Sequence, residues 1–261
     1  MPVYGHRFGG DYGPEGSRVA LEKSLARHAD GLECDIILSR DDEVFALHDP
    51  GLWLSSNLDG WAQDRTADEI DEACIRGKDG GVTEERPLRL RAVLDLIPPD
   101  LPLQLDVKAY ADVELAGRTT ARACEITKEH GTGDRIEVIS FFTRGCLVAV
   151  DYSVSTRLVL WADYAPEALV QWLLDRHIDG VSLEGFIFSP ELIDPLHDAG
   201  VTISVGAVNS PGQLERLLPM RPDVVVSDCP GEIKEYLGRF QSLNRAGECI
   251  GRAPDGKGTY A

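Results

Sequence analysis

The sequence predicts an α/β protein, a single (β/α)8 barrel with an insertion over its mouth after the second strand. Short β-branched runs alternate with amphipathic helical stretches from end to end, the pattern of repeated βα units around a parallel sheet. Eight such pairs can be counted. The length, 261 residues, matches the roughly 250 that one such barrel occupies. The alternative, an open doubly wound sheet, would carry a glycine-rich fingerprint after its first strand, and none is present there.

Val3–His6 reads as the first strand and Val19–Ala29 as its helix, with Val19, Ala20, Leu21, Leu25 and Ala26 apolar. Leu32–Ile37 is the second strand, and the RLRAVLDLI stretch is its helix, reached after a segment at 50–87 that lacks a plain βα beat. Pro98 and Pro99 stop that helix before the third strand, Leu101–Lys108. Asp112–His130 is the third helix, closed by Gly131, where a left-handed cap is cheapest. The remaining strands read at Ile136–Phe141, Thr156–Ala162, Gly180–Gly185, Val201–Val208 and Asp223–Asp228. Helices lie between and after them at about 143–152, 165–177, 189–199, 211–219 and 231–246. Ser189-Pro190 with Glu191, and Ser210-Pro211, each offer a cap followed by proline at the first helical position. The barrel domain is thus expected over 1–247, with 50–87 as a substrate-covering insertion and 248–261 as a flexible, glycine-rich tail. The insertion holds Trp53, Trp61 and the helical stretch Thr66–Gly77. A connection of that length in a compact domain is usually functional.

Composition removes several function classes. Lys and Arg number 26 against 44 Asp and Glu, a net charge of −18, which opposes a polyanionic backbone and argues against nucleic-acid binding. With 43% hydrophobic and 27% charged residues the chain can bury a core and is not disordered. It has no apolar run near the roughly 18–20 residues of a membrane span and no signal-like leader, so the expectation is a cytoplasmic protein without stable membrane association. Six cysteines without a CxxC pair favour free thiols over disulfides or zinc.

In a barrel, chemistry sits at the C-terminal ends of the strands. The first strand ends in His6-Arg7. Glu33 and Asp35 are two apart on the second and share a face, with Cys34 on the other. Asp106 and Lys108 repeat that spacing on the third. Ionisable side chains facing into a barrel are costly unless they pair or bind a metal. Three carboxylates on adjacent strands make an oxygen-rich site for a hard divalent cation, Mg²⁺ or Ca²⁺. The segment DIILSRDDEVFALHDP has apolar runs on both sides of Asp41-Asp42, so it reads as a hairpin, and a turn centred there sets His48 opposite Asp35. Two histidines, three carboxylates, Arg7 and Lys108 would then share one pocket. That set suits metal-assisted attack on a phosphate ester, with the cations stabilising phosphoryl oxygens and the imidazoles exchanging protons with nucleophile and leaving alcohol.

These residues resemble the glycerophosphodiester phosphodiesterases. The family opens with His-Arg-Gly, then Pro-Glu-Asn-Thr, Glu-x-Asp, a His-Asp after a short hairpin, and Glu-x-Lys on the third strand. Here stand GHRFGG (His6, Arg7), PEGS (Pro14, Glu15), LECD (Glu33, Asp35), LHDP (His48, Asp49) and LDVK (Asp106, Lys108). Weaker echoes are Ile139–Phe141 and SDCP (Ser227–Pro230), where the family has Thr-Asp-x-Pro. The likeness spans residues 3–237. It implies a TIM barrel with Glu33, Asp35 and Asp106 as metal ligands, His6 and His48 as the acid–base pair, and Arg7 and Lys108 holding the phosphate. It also implies a small-molecule phosphodiester substrate cleaved to an alcohol and a phosphomonoester such as sn-glycerol 3-phosphate. In related phosphodiesterases a neighbouring substrate hydroxyl can attack first, giving a cyclic phosphate.

Three departures stand out. Asp106 replaces the usual glutamate, PEGS lacks the Asn-Thr pair, and Gly206-Ala207-Val208-Asn209 replaces Trp-Thr-Val-Asn. Loss of a large aromatic at the mouth opens space and points to a leaving group larger than, or different from, glycerol, for example a sugar phosphodiester of the opine type that some members of the resembling family cleave. Plainer readings compete at each position. Glu33 and Asp35 can simply pair with Arg7 and Lys108. Asp49 orients His48 or caps a loop, Glu15 is a loop residue, and Glu184 and Trp161 either line the pocket or pack. His28, His130, His177 and His197 read as surface residues. A non-catalytic phosphodiester-binding barrel would need the charges but not two proton carriers. A Schiff-base role for Lys108 is disfavoured, since a lysine among three carboxylates stays protonated.

Overall fold

The computed structural model describes residues 1–245, so the expected tail at 248–261 lies outside the described residues. The first half of the chain runs β1 (Val3–Gly5), α1 (Arg18–Ala26), β2 (Gly31–Leu38), β3 (Val44–Ala46), α2 (Leu52–Ser55), α3 (Ala67–Asp71), β4 (Leu88–Arg89), α4 (Leu90–Leu96), β5 (Leu103–Val107) and α5 (Val113–Glu129). The second half keeps the simpler beat: β6 (Ile136–Ser140), α6 (Thr143–Asp151), β7 (Ser155–Leu160), α7 (Pro166–Leu174), β8 (Gly180–Glu184), α8 (Pro190–Asp198), β9 (Thr202–Gly206), α9 (Pro211–Leu217), β10 (Val224–Ser227) and α10 (Pro230–Arg245). Strands β1, β2 and β5 to β10 pair in parallel around a ring, and β1 closes it by bonding both β10 and β2. That closure excludes the open sheet. The eight expected barrel strands are all present and differ from the expectation only at their ends.

Closure also explains the burial. Strand β2 is buried along its whole length, because one face meets helices and the other fills the barrel, as parallel strands require. One apolar cluster joins Phe8, Leu21, Leu32, Leu105 and Ile126 under α1, α4 and α5, and a second joins Leu160, Leu173, Val181, Ile203 and Val225 under α7 to α10. The barrel interior holds a polar layer as well: Gln104 Nε2 donates to Glu137 Oε2 at 2.6 Å, and Arg157 Nε lies 2.7 Å from Glu137 Oε1.

Local signals set the helix ends. Asp112 accepts from the Leu115 N–H at 2.9 Å to start α5, and Gly131, at φ 73°, ends it. Ser210 caps α9 through the Gln213 N–H, whereas Ser189 makes no cap bond, so proline alone marks the start of α8. Among the described residues no helix is long and apolar enough to cross a membrane. The five described cysteines are free, and Cys34 is buried in the core as its alternation on the strand predicts.

The hairpin forms, but its register corrects the expectation. Strand β3 pairs antiparallel with β2 through Ile36↔Ala46, Ile37↔Phe45 and Leu38↔Val44. Leu47, not His48, therefore faces Asp35, and its N–H donates to the Asp35 carbonyl at 3.1 Å. The cause is the loop, which has three residues (Arg40, Asp41, Asp42) between Ser39 and Glu43 and ends with Asp42 at φ 63°. A three-residue loop closed by a left-handed residue shifts the ladder one place from a two-residue turn. His48 thus leaves the sheet and reaches the mouth from the segment beyond β3. The outer face of the hairpin carries the insertion. Ile37, Phe45 and Leu47 pack with Leu52, Ala62, Ala67, Ile70 and Ile75 in a small core of their own, and Thr66 with Glu69 forms a capping box at the start of α3.

Candidate active site

The segment after β1 turns sharply. Arg7, Phe8 and Gly9 all have positive φ (51°, 65° and 88°), uncommon for non-glycine residues and sustained only where the surroundings over-determine it. Ser24 Oγ donates to the Phe8 carbonyl at 2.7 Å, and a Cβ at Gly9 would lie 2.2 Å from the Ser24 Oγ, so only glycine fits. The turn aims the Arg7 N–H at Glu33 Oε2, 2.8 Å away, and carries His6 and the Arg7 side chain over the barrel mouth.

Strands β2 and β5 pair with Asp35 beside Asp106. Glu33, Asp35 and Asp106 each offer an oxygen within 4.8 Å of the others, and all three are buried. Lys108 Nζ lies 3.0 Å from Asp35 Oδ1 and 2.6 Å from Asp106 Oδ2. Arg7 Nε lies 3.2 Å from Asp35 Oδ2, while its NH1 binds Glu15 at 2.5 Å. The plainer reading of salt bridges is therefore met by Asp35. It is not met by Glu33, which lies within 4 Å of no lysine or arginine side-chain nitrogen among the described residues. Asp106 Oδ1 is buried without a hydrogen-bond partner.

Burial and charge divide these groups. Burial, with Asp35 close by, pushes the Glu33 carboxyl up to about 7. Burial would raise Asp35 too, but Lys108 and Arg7 outweigh it and hold that carboxyl well below its ordinary range. Asp106 is raised by burial in spite of Lys108. For Lys108, burial opposes the charge, yet Asp106 and Asp35 hold its proton firmly, which disfavours a Schiff-base amine.

Each histidine has its own carboxylate. His6 Nδ1 lies 2.7 Å from Asp228 Oδ1, and its Nε2 faces Glu33 at 4.0 Å. Burial lowers the His6 pKa, but Asp228 and Glu33 more than reverse this, so it stands above the usual value. His48 Nδ1 lies 3.1 Å from Asp49 Oδ1. Asp228 is itself fixed: Asn209 Nδ2 donates to Asp228 Oδ2 at 2.6 Å, and the Asp228 N–H donates back to Asn209 Oδ1 at 2.8 Å. Asp228 and Asn209 are the site residues that sequence reasoning passed over. Their signals were present, in the SDCP echo closing the last strand and the Asn ending GAVN. Glu15, expected as a loop residue, turns out to hold Arg7.

The Asp228→Asn variant is expected to lower the pKa of His6, because an anion that favours the imidazolium is lost. It should also cost about ten- to a hundredfold in turnover, the scale of a hydrogen bond to a charged group. A His6 ring titration by NMR that matches wild type would remove Asp228 from this role.

His6, Arg7, Glu33, Asp35, His48, Asp106 and Lys108 line a single cavity of about 300 Å³. All seven expected residues are thus brought together, His48 among them despite the shifted register. Trp161 and Glu184 also line the wall. Phe141 sits under Lys108, with Nζ 4.9 Å from its ring centre. The insertion borders the site: Arg76, Gly77 and Lys78 share a cavity of about 480 Å³ with Glu15, His48 and Asp49, and Lys78 pairs with Asp11.

A closed (β/α)8 barrel with cations, carboxylates and two carboxylate-backed imidazoles gathered at one mouth defines a barrel enzyme of phosphate-ester cleavage. The sequence model of the Glycerophosphoryl diester phosphodiesterase family matches residues 6–232, and the chain belongs to that family. It is accordingly a phosphodiesterase, with glycerophosphodiester hydrolysis as its general reaction. Among its relatives, the glycerophosphodiester phosphodiesterase of Caldanaerobacter subterraneus is 25% identical over 231 residues, 87% of this chain and 94% of that one. The Bacillus subtilis protein YqiK is 25% identical over 250 residues, 90% of this chain and 98% of that one. In fold it is similar to an Oleispira antarctica phosphodiesterase solved with the product sn-glycerol-3-phosphate, at a TM-score of 0.82, 20% identity and coverage of 91% of this chain and 97% of that one.

Proposed function

We propose that this protein hydrolyses a small, free glycerophosphodiester with the help of a divalent cation, releasing an alcohol and a phosphomonoester such as sn-glycerol 3-phosphate. The observation that carries the reading is the convergence of two imidazoles, each backed by its own carboxylate, with two protonated cations in one cavity. A binder needs the charges but not the proton carriers. The net charge of −18 supports a small substrate over a nucleic acid.

Arg7 and Lys108 hold the phosphate. One imidazole takes the proton of the attacking hydroxyl, the phosphorus–oxygen bond to the leaving alcohol breaks, and the other imidazole gives that alcohol a proton. Asp228 and Asp49 keep the Nδ1 side of each ring occupied, so the Nε2 atoms are the ones that meet substrate. The nucleophile is water or, where the substrate has one, a neighbouring hydroxyl that first forms a cyclic phosphate.

Glu33, Asp35 and Asp106 are the residues that would hold the cation. Their fit rests on three buried carboxylates with oxygens within 4.8 Å of one another, an Asp106 oxygen without a partner, and a Glu33 carboxyl with no lysine or arginine side-chain nitrogen within 4 Å among the described residues. An all-oxygen set suits Mg²⁺, Ca²⁺ or Mn²⁺, and such an ion supplies charge stabilisation for the phosphoryl oxygens when bound. Chelation is expected to abolish hydrolysis of glycerophosphocholine, and one of the three ions to restore it. Phosphorus NMR of the products follows both sn-glycerol 3-phosphate and any cyclic phosphate. Full turnover in excess chelator would remove the metal from the reading.

A further inference from the structure

The cavity of about 480 Å³ between the insertion and the barrel mouth borders the catalytic one, since His48 lines both and Glu15 on its wall holds Arg7 of the other. Leu47, Leu54 and Ile75 give it an apolar side. Most of its charges are matched one by one: Glu15 with Arg7, Asp49 with His48, and Lys78 with Asp11. Arg76 is the exception. It lines the same space and forms no ion pair among the described residues.

Neutral backbone holds that guanidinium in place. Arg76 Nε donates to the Ser56 carbonyl and Nη1 to the Gly80 carbonyl, each at 2.9 Å, while the Arg76 N–H donates to the Ser55 carbonyl at 2.8 Å. Nη2 makes no hydrogen bond among the described residues. Ser55, joined to Arg76 by that backbone bond, lines the cavity too, and its Oγ is buried without a partner. A fixed cation with a free edge, next to an unused hydroxyl, lacks an anion. A neutral alcohol would satisfy the serine but leave the guanidinium unmatched, and an ammonium would be repelled by it. One unmatched charge suits a carboxylate better than a phosphate dianion.

We propose that this cavity is a subsite for a carboxylate on the alcohol of the phosphodiester, with Arg76 and Ser55 binding it, so that the preferred substrate is the glycerophosphodiester of an acidic alcohol. The proposal rests on the phosphodiesterase reading above and extends it to the substrate class. With Arg7 and Lys108 on the phosphate, the alcohol reaches the subsite past His48, and the apolar side takes the carbons between the two anions. The net charge of −18 works against an acidic substrate at long range, so a preference for one has to arise locally.

The test compares kcat/KM of the full chain, with divalent cation present, on sn-glycero-3-phosphoserine and sn-glycero-3-phosphoethanolamine, which differ only by the carboxylate. Wild type is expected to favour the serine ester by about tenfold, the scale of one hydrogen bond to a charged group. Arg76→Gln should bring the ratio to about one. Ser55→Ala, which leaves the backbone bonds of Arg76 in place, should cut it by about threefold, and carries the test alone if the arginine variant does not fold. A wild-type ratio near or below one overturns the subsite and leaves the phosphodiesterase reading standing. So does an Arg76→Gln ratio equal to wild type, including the case in which both esters lose equally because the insertion has loosened. No hydrolysis of either ester with Mg²⁺, Ca²⁺ or Mn²⁺ overturns both.

Discussion

Substituting alanine for His6 or for His48 is expected to lower kcat on glycerophosphocholine by about 10²–10⁴-fold, the usual contribution of a positioned proton carrier. The two imidazoles reach the cavity from different elements, one from the turn after β1 and one from the segment after β3, and each leans on its own aspartate. Neither can take over the other's place. Because both act in one turnover, the double variant should lose much less than the product of the single losses. Steady-state kinetics on the three variants measures this, with a melting curve to separate lost chemistry from lost fold. Unchanged hydrolysis in either single variant refutes the role assigned to that histidine.

Lys108→Met should damage both stability and activity. The lysine is largely buried against two carboxylates, with Glu33 close by. Removing one partner of a buried ionic group strands the rest, at about 3–5 kcal/mol. For a chain of this size that is a fall in Tm of roughly 10 °C, read by calorimetry in the presence of chelator. A divalent cation is expected to restore part of the loss, since it replaces positive charge among the same oxygens. On the activity side, losing a cation aimed at the phosphate costs about 10²–10³ in kcat. A melting temperature equal to wild type in chelator would mean that Lys108 is not paired as described.

Much of the barrel could be read from the sequence because its physics is local. Thr156–Ala162 is a short, mostly apolar run and Asp223–Asp228 a β-branched one, and Asp112, Gly131 and Ser210 mark helix ends through bonds within a few residues. The same locality placed Glu33 and Asp35 on one face, since strand period alone decides it. Two kinds of information were not local. The register of the hairpin depended on Asp42 adopting a left-handed backbone, a choice that Asp-Asp does not announce as Asn-Gly would. The partnership of His6 with Asp228 and Asn209 depended on barrel closure, which brings the first strand beside the last. No spacing within either segment shows it.

That partnership links residues 222 positions apart, and it orders events during synthesis. A ribosome that has delivered everything through β9 has already made all seven expected site residues, yet β1 still lacks its neighbour β10, and His6 Nδ1 lacks Asp228. The last βα unit shuts the ring and readies the imidazole in a single act. The contact between His6 and its aspartate is therefore among the last at the mouth that synthesis allows to form.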